Sequence, residues 1–153
     1  MKTGQPGLHP GVLRLPGKLT SLQAVARYVL DLAARAGLSA DDTHRLRLAA
    51  DELATNVILH GYRDCQGELR LEGGADLHTV WLRLEDDAPR FDPRQGHRPP
   101  QTHLPLERRP IGGLGIHLAL TALDGFSHGY TDGRNRSTLV IRRGGLRGRP
   151  SPK

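Results

Sequence analysis

Glu52 and Asn56 stand four residues apart, inside the run Leu46 to Val57 whose apolar members Leu46, Ala49, Ala50, Leu53 and Val57 recur at helical spacing. On a helix the two polar residues sit one above the other, about 40° apart in projection. They flank the apolar stripe rather than opposing it, and a carboxylate and an amide at a core boundary need partners. Taken alone, the pair also reads as an ordinary polar edge. A second cluster, Glu85-Asp86-Asp87-Ala88-Pro89-Arg90-Phe91-Asp92-Pro93, begins where an alternating strand ends. A carboxylate there can accept a hydrogen bond from a ligand amine such as the exocyclic amino group of adenine. A plain Asp-rich turn with Phe91 tucked beneath it is the other reading. The third feature is Gly112-Gly113-Leu114-Gly115 ahead of an apolar helix. Glycines let a backbone approach a phosphate, and a helix N-terminus offers unpaired N–H groups. No Gly-Lys-Ser/Thr follows, so this is not a P-loop, and its late position does not suit a dinucleotide fingerprint.

The elements that must position these groups are visible in the periodicity. Val12 to Leu15 alternates and stops at Pro16-Gly17. Thr20-Ser21 is placed to cap a helix over 22–36 with Val25, Val29, Leu30 and Ala33 as its stripe, and Gly37 suits a left-handed C-terminal position. Ser39 and Asp42 resemble a capping box opening a second helix that runs to about His60 and stops at Gly61. Residues 68–72 and 79–85 alternate around a Gly-Gly-Ala-Asp turn and form a hairpin. Trp81 in that hairpin is expected in the core. Residues 93–110 hold five prolines and four arginines with almost no apolar periodicity; they are expected to form a long lid loop. A helix from the glycines to about Leu123 and two strands, 125–130 and 137–141, complete the chain. The fold expected is α+β: a two-layer sandwich of a mostly antiparallel sheet with helices on one face. Residues 1–11 are a loose N-terminus, 12–143 the domain and 144–153 a basic tail.

Composition narrows the class. The chain has 153 residues, enough for one domain, and a single cysteine, Cys65, which excludes an internal disulfide or a multi-cysteine zinc site within it. No run of 18 apolar residues and no apolar leader occur, so a soluble cytoplasmic protein without membrane attachment is expected. The net charge of +6 is concentrated at the end: five of the 22 basic residues fall in the last twelve positions, which carry no acid. Gly144-Gly145 and Pro150-Ser151-Pro152 there favour a solvated end over a nucleic-acid-binding one.

The three chemical features occur in an order and spacing that is far more specific than any one of them. Leu48 to Tyr62, containing Asp51-Glu52-Leu53-Ala54-Thr55-Asn56, resembles the N box of the GHKL ATPase superfamily. Within it, the chain looks most like the bacterial anti-sigma-factor serine/threonine kinases. Asp86 to Pro93 is similar to that family's Asp-x-Gly-x-x-Phe-Asp-Pro box, Ile111 to Ile116 to its second glycine box, and Arg136 to Ile141 to its last strand. The resemblance implies a Bergerat-type, histidine-kinase-like ATP-binding fold using ATP and Mg²⁺. It implies that Asn56 holds Mg²⁺, that Glu52 is the general base toward a serine or threonine hydroxyl, and that Asp86 reads adenine, with Ala88 beside it. Gly112, Gly113, Leu114 and Gly115 would wrap the phosphates, and Arg108 or Arg109 would reach the γ-phosphate. Thr138 matches a family position near the Asp–adenine contact. In the family such domains phosphorylate a small antagonist (anti-anti-sigma) protein, bind a sigma factor and often form dimers, a partner-switching arrangement that needs no direct nucleic-acid binding. A nucleotide-gated binding module without kinase activity is the alternative. The family's glycine is Ala88 here, which costs little at negative φ and is strained at positive φ.

Overall fold

The computed structural model describes residues 7–62, 66–94 and 113–143. The elements, in chain order, are β1 (Val12–Pro16), a 3₁₀ turn (Leu19–Ser21), α1 (Leu22–Ala36), α2 (Ala40–Asn56), a π-helical turn (Val57–Gly61), β2 (Glu68–Ala75), β3 (Thr79–Asp86), α3 (Gly113–Thr121), β4 (Gly125–Thr131) and β5 (Arg134–Arg142). The five strands form one sheet in the order β1-β2-β3-β5-β4, with every neighbouring pair antiparallel. α1 packs over β2 and β3, α2 over β5, and α3 beside α2. This is the expected α+β sandwich with its helices on one face.

Local chemistry explains the helix ends. Ser39 Oγ accepts from Asp42 N at 3.1 Å, so the serine half of the expected capping box opens α2. Gly37 ends α1 at φ 69°, and its N–H reaches the carbonyls of Ala33 and Ala34. Ser21 stands at the N-cap of α1 but makes no side-chain cap; its hydroxyl donates instead to Pro16 O at 2.6 Å and ties the turn to β1. The stripe of α1 is Val25, Val29, Leu32, Ala33 and Ala36. Leu30, expected in it, is 39% exposed, because the helix turns it away from the sheet. The second helix does reach Gly61, but its last turn is wider: Tyr62 N bonds Val57 O at 2.9 Å.

One sheet face is the core. Leu69, Leu71, Val80, Leu82, Leu84, Leu139 and Ile141 are almost fully buried beneath α1 and α2. Full burial of each such side chain contributes about 1.5–3 kcal/mol. The opposite parity carries Arg14, Arg70, Arg83, Arg134 and Arg136 interleaved with Glu68, Glu72, Glu85 and Asp87, paired at 2.8–4.0 Å. Trp81 lies on this charged face and not in the core. Its indole covers Gly74, where a Cβ would meet it at 2.7 Å, with Arg83 stacked 5.4 Å away. The alternation that buries Val80 and Leu82 necessarily sends Trp81 outward.

Candidate functional site

The C-terminal end of β3 delivers Asp86 on the helix-facing side, opposite Asn135 in the β3/β5 register. Asp86 is buried, and its Oδ1 accepts from Ala88 N at 3.0 Å and Asn135 Nδ2 at 2.9 Å. Among the described residues no donor reaches Oδ2. Burial pushes the Asp86 carboxyl above its ordinary range, a shift partly opposed by the two hydrogen bonds. Asn135 is itself buried and does more than hold Asp86. Its Nδ2 also donates to the carbonyls of Ala88 and Pro89, both at 3.1 Å, and its Oδ1 accepts from Phe91 N at 3.0 Å. The loop after β3 is therefore fixed by one side chain from a neighbouring strand.

Tyr62 fixes it from the other side. Its hydroxyl accepts from Asp87 N at 2.6 Å and donates to Glu68 O at 2.8 Å, joining the end of β3 to the start of β2. Burial pushes its pKa to about 12, so it stays a phenol. Its ring occupies the space above Gly67, where a Cβ would lie 2.0 Å from it. Ala88 takes a negative φ, since Asp132 is the only non-glycine residue with positive φ among the described residues. The methyl that replaces the family's hydrogen is accommodated without backbone strain. It packs against Gly61, where a Cβ would come within 2.9 Å of it.

α2 supplies the opposite wall. Leu53 and Asn56, then Val57, His60 and Gly61 of the π-helical turn, line a cavity of ≈ 230 Å³ that Asp86, Asn135 and Ser137 line from the sheet. The Asn56 side chain makes no hydrogen bond within the described residues. Glu52, one turn earlier, sits beside the cavity rather than in its lining: a Cβ on Gly115 would lie 3.0 Å from Glu52 Oε2. A larger residue at this place in the first turn of α3 would require the Glu52 carboxylate to shift by a few tenths of an ångström. The far end of α3 is anchored by Arg45, whose Nε donates to Ala122 O at 2.8 Å and whose Nη2 reaches the same carbonyl. Arg45 also pairs with Asp42 at 2.7 Å and Asp124 at 3.5 Å.

Residues 90–94 cross β4 as a strap. Arg90 stacks over Tyr130 at 5.8 Å and Arg94 over Phe126 at 5.7 Å, while Asp92 pairs with Arg94 at 2.9 Å. Between those two rings on β4, His128 Nδ1 meets Ser137 Oγ at 3.0 Å. Burial lowers the pKa of this histidine, an effect partly opposed by Asp92.

Of the residues singled out from the sequence, Asn56, Asp86 and Ala88 share the cavity, and Glu52 meets Gly115 at its rim. Gly113 and Leu114 open α3. Gly112, Arg108 and Arg109, Cys65 and most of the expected lid lie outside the described residues. Thr138 is on the charged face of the sheet, paired with Arg83 and Ser127; Asn135 and Ser137 reach the cavity instead. The signal for them is parity, because 135 and 137 alternate in phase with the buried Leu139 and Ile141. Asn135, His128 and Tyr62 are the contributors that sequence reasoning passes over.

Fold and site together define an α+β sandwich domain with a cavity between helix layer and sheet, lined by a buried carboxyl from the sheet and an amide from α2. A family model, the histidine kinase-like ATPase domain, matches residues 15–142, and the chain belongs to that family. Over 115 residues, 73% of this chain and 72% of the relative, it is 26% identical to the serine-protein kinase RsbW of Bacillus thuringiensis (strain Al Hakam). The RsbW of Bacillus anthracis matches with the same identity and coverage. Among solved structures, the mycobacterial sensor histidine kinase MprB superposes with a TM-score of 0.47 at 13% identity, covering 85% of this chain and 97% of that one. No helix among the described residues is long and apolar enough to cross a membrane.

Proposed function

We propose that this domain binds ATP with Mg²⁺ in the cavity and transfers the γ-phosphoryl group to a serine or threonine hydroxyl of a small antagonist protein. The observation that carries this reading is the opposition across one cavity of a buried carboxyl and an unpartnered helical amide, with Glu52 at the rim against the first turn of α3. Asp86 Oδ2 takes the exocyclic amine of adenine while Oδ1 stays held by Asn135 and Ala88. The donor set fits the metal: Mg²⁺ prefers oxygen ligands, and the Asn56 amide oxygen is uncommitted within the described residues and lines the cavity. When bound, the ion neutralises phosphate charge. Gly112, Gly113, Leu114 and Gly115 approach the phosphates, with Arg109 adding positive charge.

In the transfer, the acceptor hydroxyl oxygen bonds to the γ-phosphorus, the bond to the β,γ-bridging oxygen breaks, ADP leaves, and Glu52 takes the hydroxyl proton. The similarity to serine-protein kinases supports a protein as acceptor. Regulation of transcription by partner switching, with a sigma factor as second partner, a homodimer and a cytoplasmic location, completes the reading.

The test is to titrate the protein with ATP and Mg²⁺ by calorimetry, then incubate it with γ-labelled ATP and a candidate antagonist protein. Saturable binding and label on a serine or threonine support the reading. Tight binding without transfer would mark a nucleotide-gated binding module, and no binding would remove both.

A further inference from the structure

Arg45 has no role in that reading, yet it stands in register with Glu52. The two are seven residues apart on α2, about two turns, and so share one side of that helix. Arg45 Nε donates to Ala122 O at 2.8 Å, just past the last residue of α3, and Nη2 donates to the same oxygen. Glu52 meets Gly115 in the first turn of α3. Gly115 and Ala122 are also seven residues apart, and they run in the opposite order. α2 and α3 therefore lie antiparallel, and one side of α2 meets α3 near both of its ends.

The two contacts differ in kind. Ala122 N bonds Leu118 O at 3.1 Å, so the Ala122 carbonyl is among the last of the helix, where partial negative charge collects and a guanidinium is favoured. That corner is tied further. Arg45 Nη1 donates to Asp42 Oδ1 at 2.7 Å, and Nη2 pairs with Asp124 Oδ1 at 3.5 Å. Asp124 in turn reaches the sheet: its Oδ2 accepts from Arg142 N at 2.8 Å, and its own N–H donates to Val140 O at 3.1 Å. The Glu52 contact is one of approach alone, with a Cβ on Gly115 standing 3.0 Å from Oε2. How close that approach is depends on where α3 lies, and the Arg45 corner sets that. Gly115 is about 10 Å from Ala122 along the axis, so a tilt of about 5° at the corner moves the first turn by about 1 Å.

We propose that Arg45 is a positioning residue: by holding the end of α3 against α2, it places the first turn of α3 beside Glu52, where the γ-phosphoryl group is gripped. This rests on the nucleotide reading above. Arg45 acts on the terminal phosphate only through α3, and not on the base, which the sheet side holds through Asp86 and Asn135.

The experiment measures binding of Mg-ATP and Mg-ADP by calorimetry to wild type, Arg45→Met and Arg45→Lys, at a temperature where urea titration shows each variant fully folded. Arg45→Met keeps an apolar stem and loses the donors. It should bind ATP about five- to tenfold more weakly, the scale of one hydrogen bond, with ADP affinity within about twofold of wild type. Arg45→Lys, which can still place a donor on Ala122 O, should fall between the two. A contact that serves stability alone would move the urea midpoints and leave both nucleotides bound as in wild type. ATP and ADP affinities that fall together in Arg45→Met, or that both hold, overturn the proposal and leave the nucleotide reading intact. A wild type that binds neither nucleotide overturns that reading and this proposal with it.

Discussion

The sheet side and the helix side of the site are built on different plans. On the sheet side the polar groups are committed in advance: Asn135 makes four hydrogen bonds, Tyr62 two through its hydroxyl, and Asp86 itself accepts two. On the helix side the side chains of Glu52 and Asn56 have no hydrogen-bond partner among the described residues, and a Cβ built on Gly115 would lie 3.0 Å from Glu52 Oε2. Recognition of a base gains from groups already fixed in place, because little ordering is left to do on binding. Chemistry at phosphate needs groups whose bonds are still to be made. On the function proposed above, the difference would separate affinity, on one side, from turnover on the other.

The largest expected effect tests that separation directly. Glu52→Ala should lower phosphoryl transfer to the antagonist by at least about 100-fold, the scale of a lost general base, while ATP affinity stays within about twofold. Single-turnover assays and calorimetry on the same preparation read both. A parallel loss of affinity would break the comparison.

Asp86→Asn reverses the pattern. Nucleotide affinity should fall by about 10- to 100-fold, the worth of a charge-assisted hydrogen bond, as read by titration. Stability should move the other way. The Asp86 carboxyl has a raised pKa in the fold because burial disfavours its charge. Its contribution is undiminished while it is protonated in both states and declines as pH rises from the ordinary value of 3.8 through the raised one. Asparagine keeps the Oδ1 contacts and carries no charge. The variant's thermal midpoint, compared with wild type, should therefore gain steadily from acid toward neutral pH and then level off.

Asn135→Ala should come next, with a smaller loss of affinity, about five- to tenfold. Stability should fall by about 1–3 kcal/mol in urea titration, since buried groups of Asp86, Ala88, Pro89 and Phe91 lose their partner. The smallest effect concerns Gly61 and Ala88. Gly61→Ala brings two methyl carbons within 2.9 Å and should cost about 1–3 kcal/mol. Ala88→Gly alone should cost about 0.5–1 kcal/mol. Combined, the second change should relieve most of the first, and additive losses in thermal melts would refute the contact.

Periodicity made the layers legible. The stripe Leu46, Ala49, Ala50, Leu53 and Val57 is buried as its spacing implies, and the alternation in β2, β3 and β5 places their leucines inward. The same alternation was sufficient to send Trp81 and Thr138 to the outer face, since each is out of phase with its buried neighbours. Reading them by residue type or by family position overrode that parity. Asn56 and Asp86 were legible because few reasons put an amide or an acid at the margin of an apolar stripe or strand. Asn135 and His128 were not, because their importance lies in bonds to residues 44 to 49 positions away and across a neighbouring strand. The π-helical turn was invisible too: a shift of one carbonyl in the bonding pattern leaves no trace in composition.

That wide turn acts as if one extra residue had been fed into a regular helix. It changes the phase of everything after Asn56 by the arc of a single position. Val57, His60 and Gly61 thereby share a wall with Leu53 and Asn56, and Tyr62 arrives where β2 and β3 part. Shortening the segment by one residue would restore an ordinary helix and swing the tyrosine off that junction. Its length, more than the identity of any residue in it, keeps helix and sheet in step.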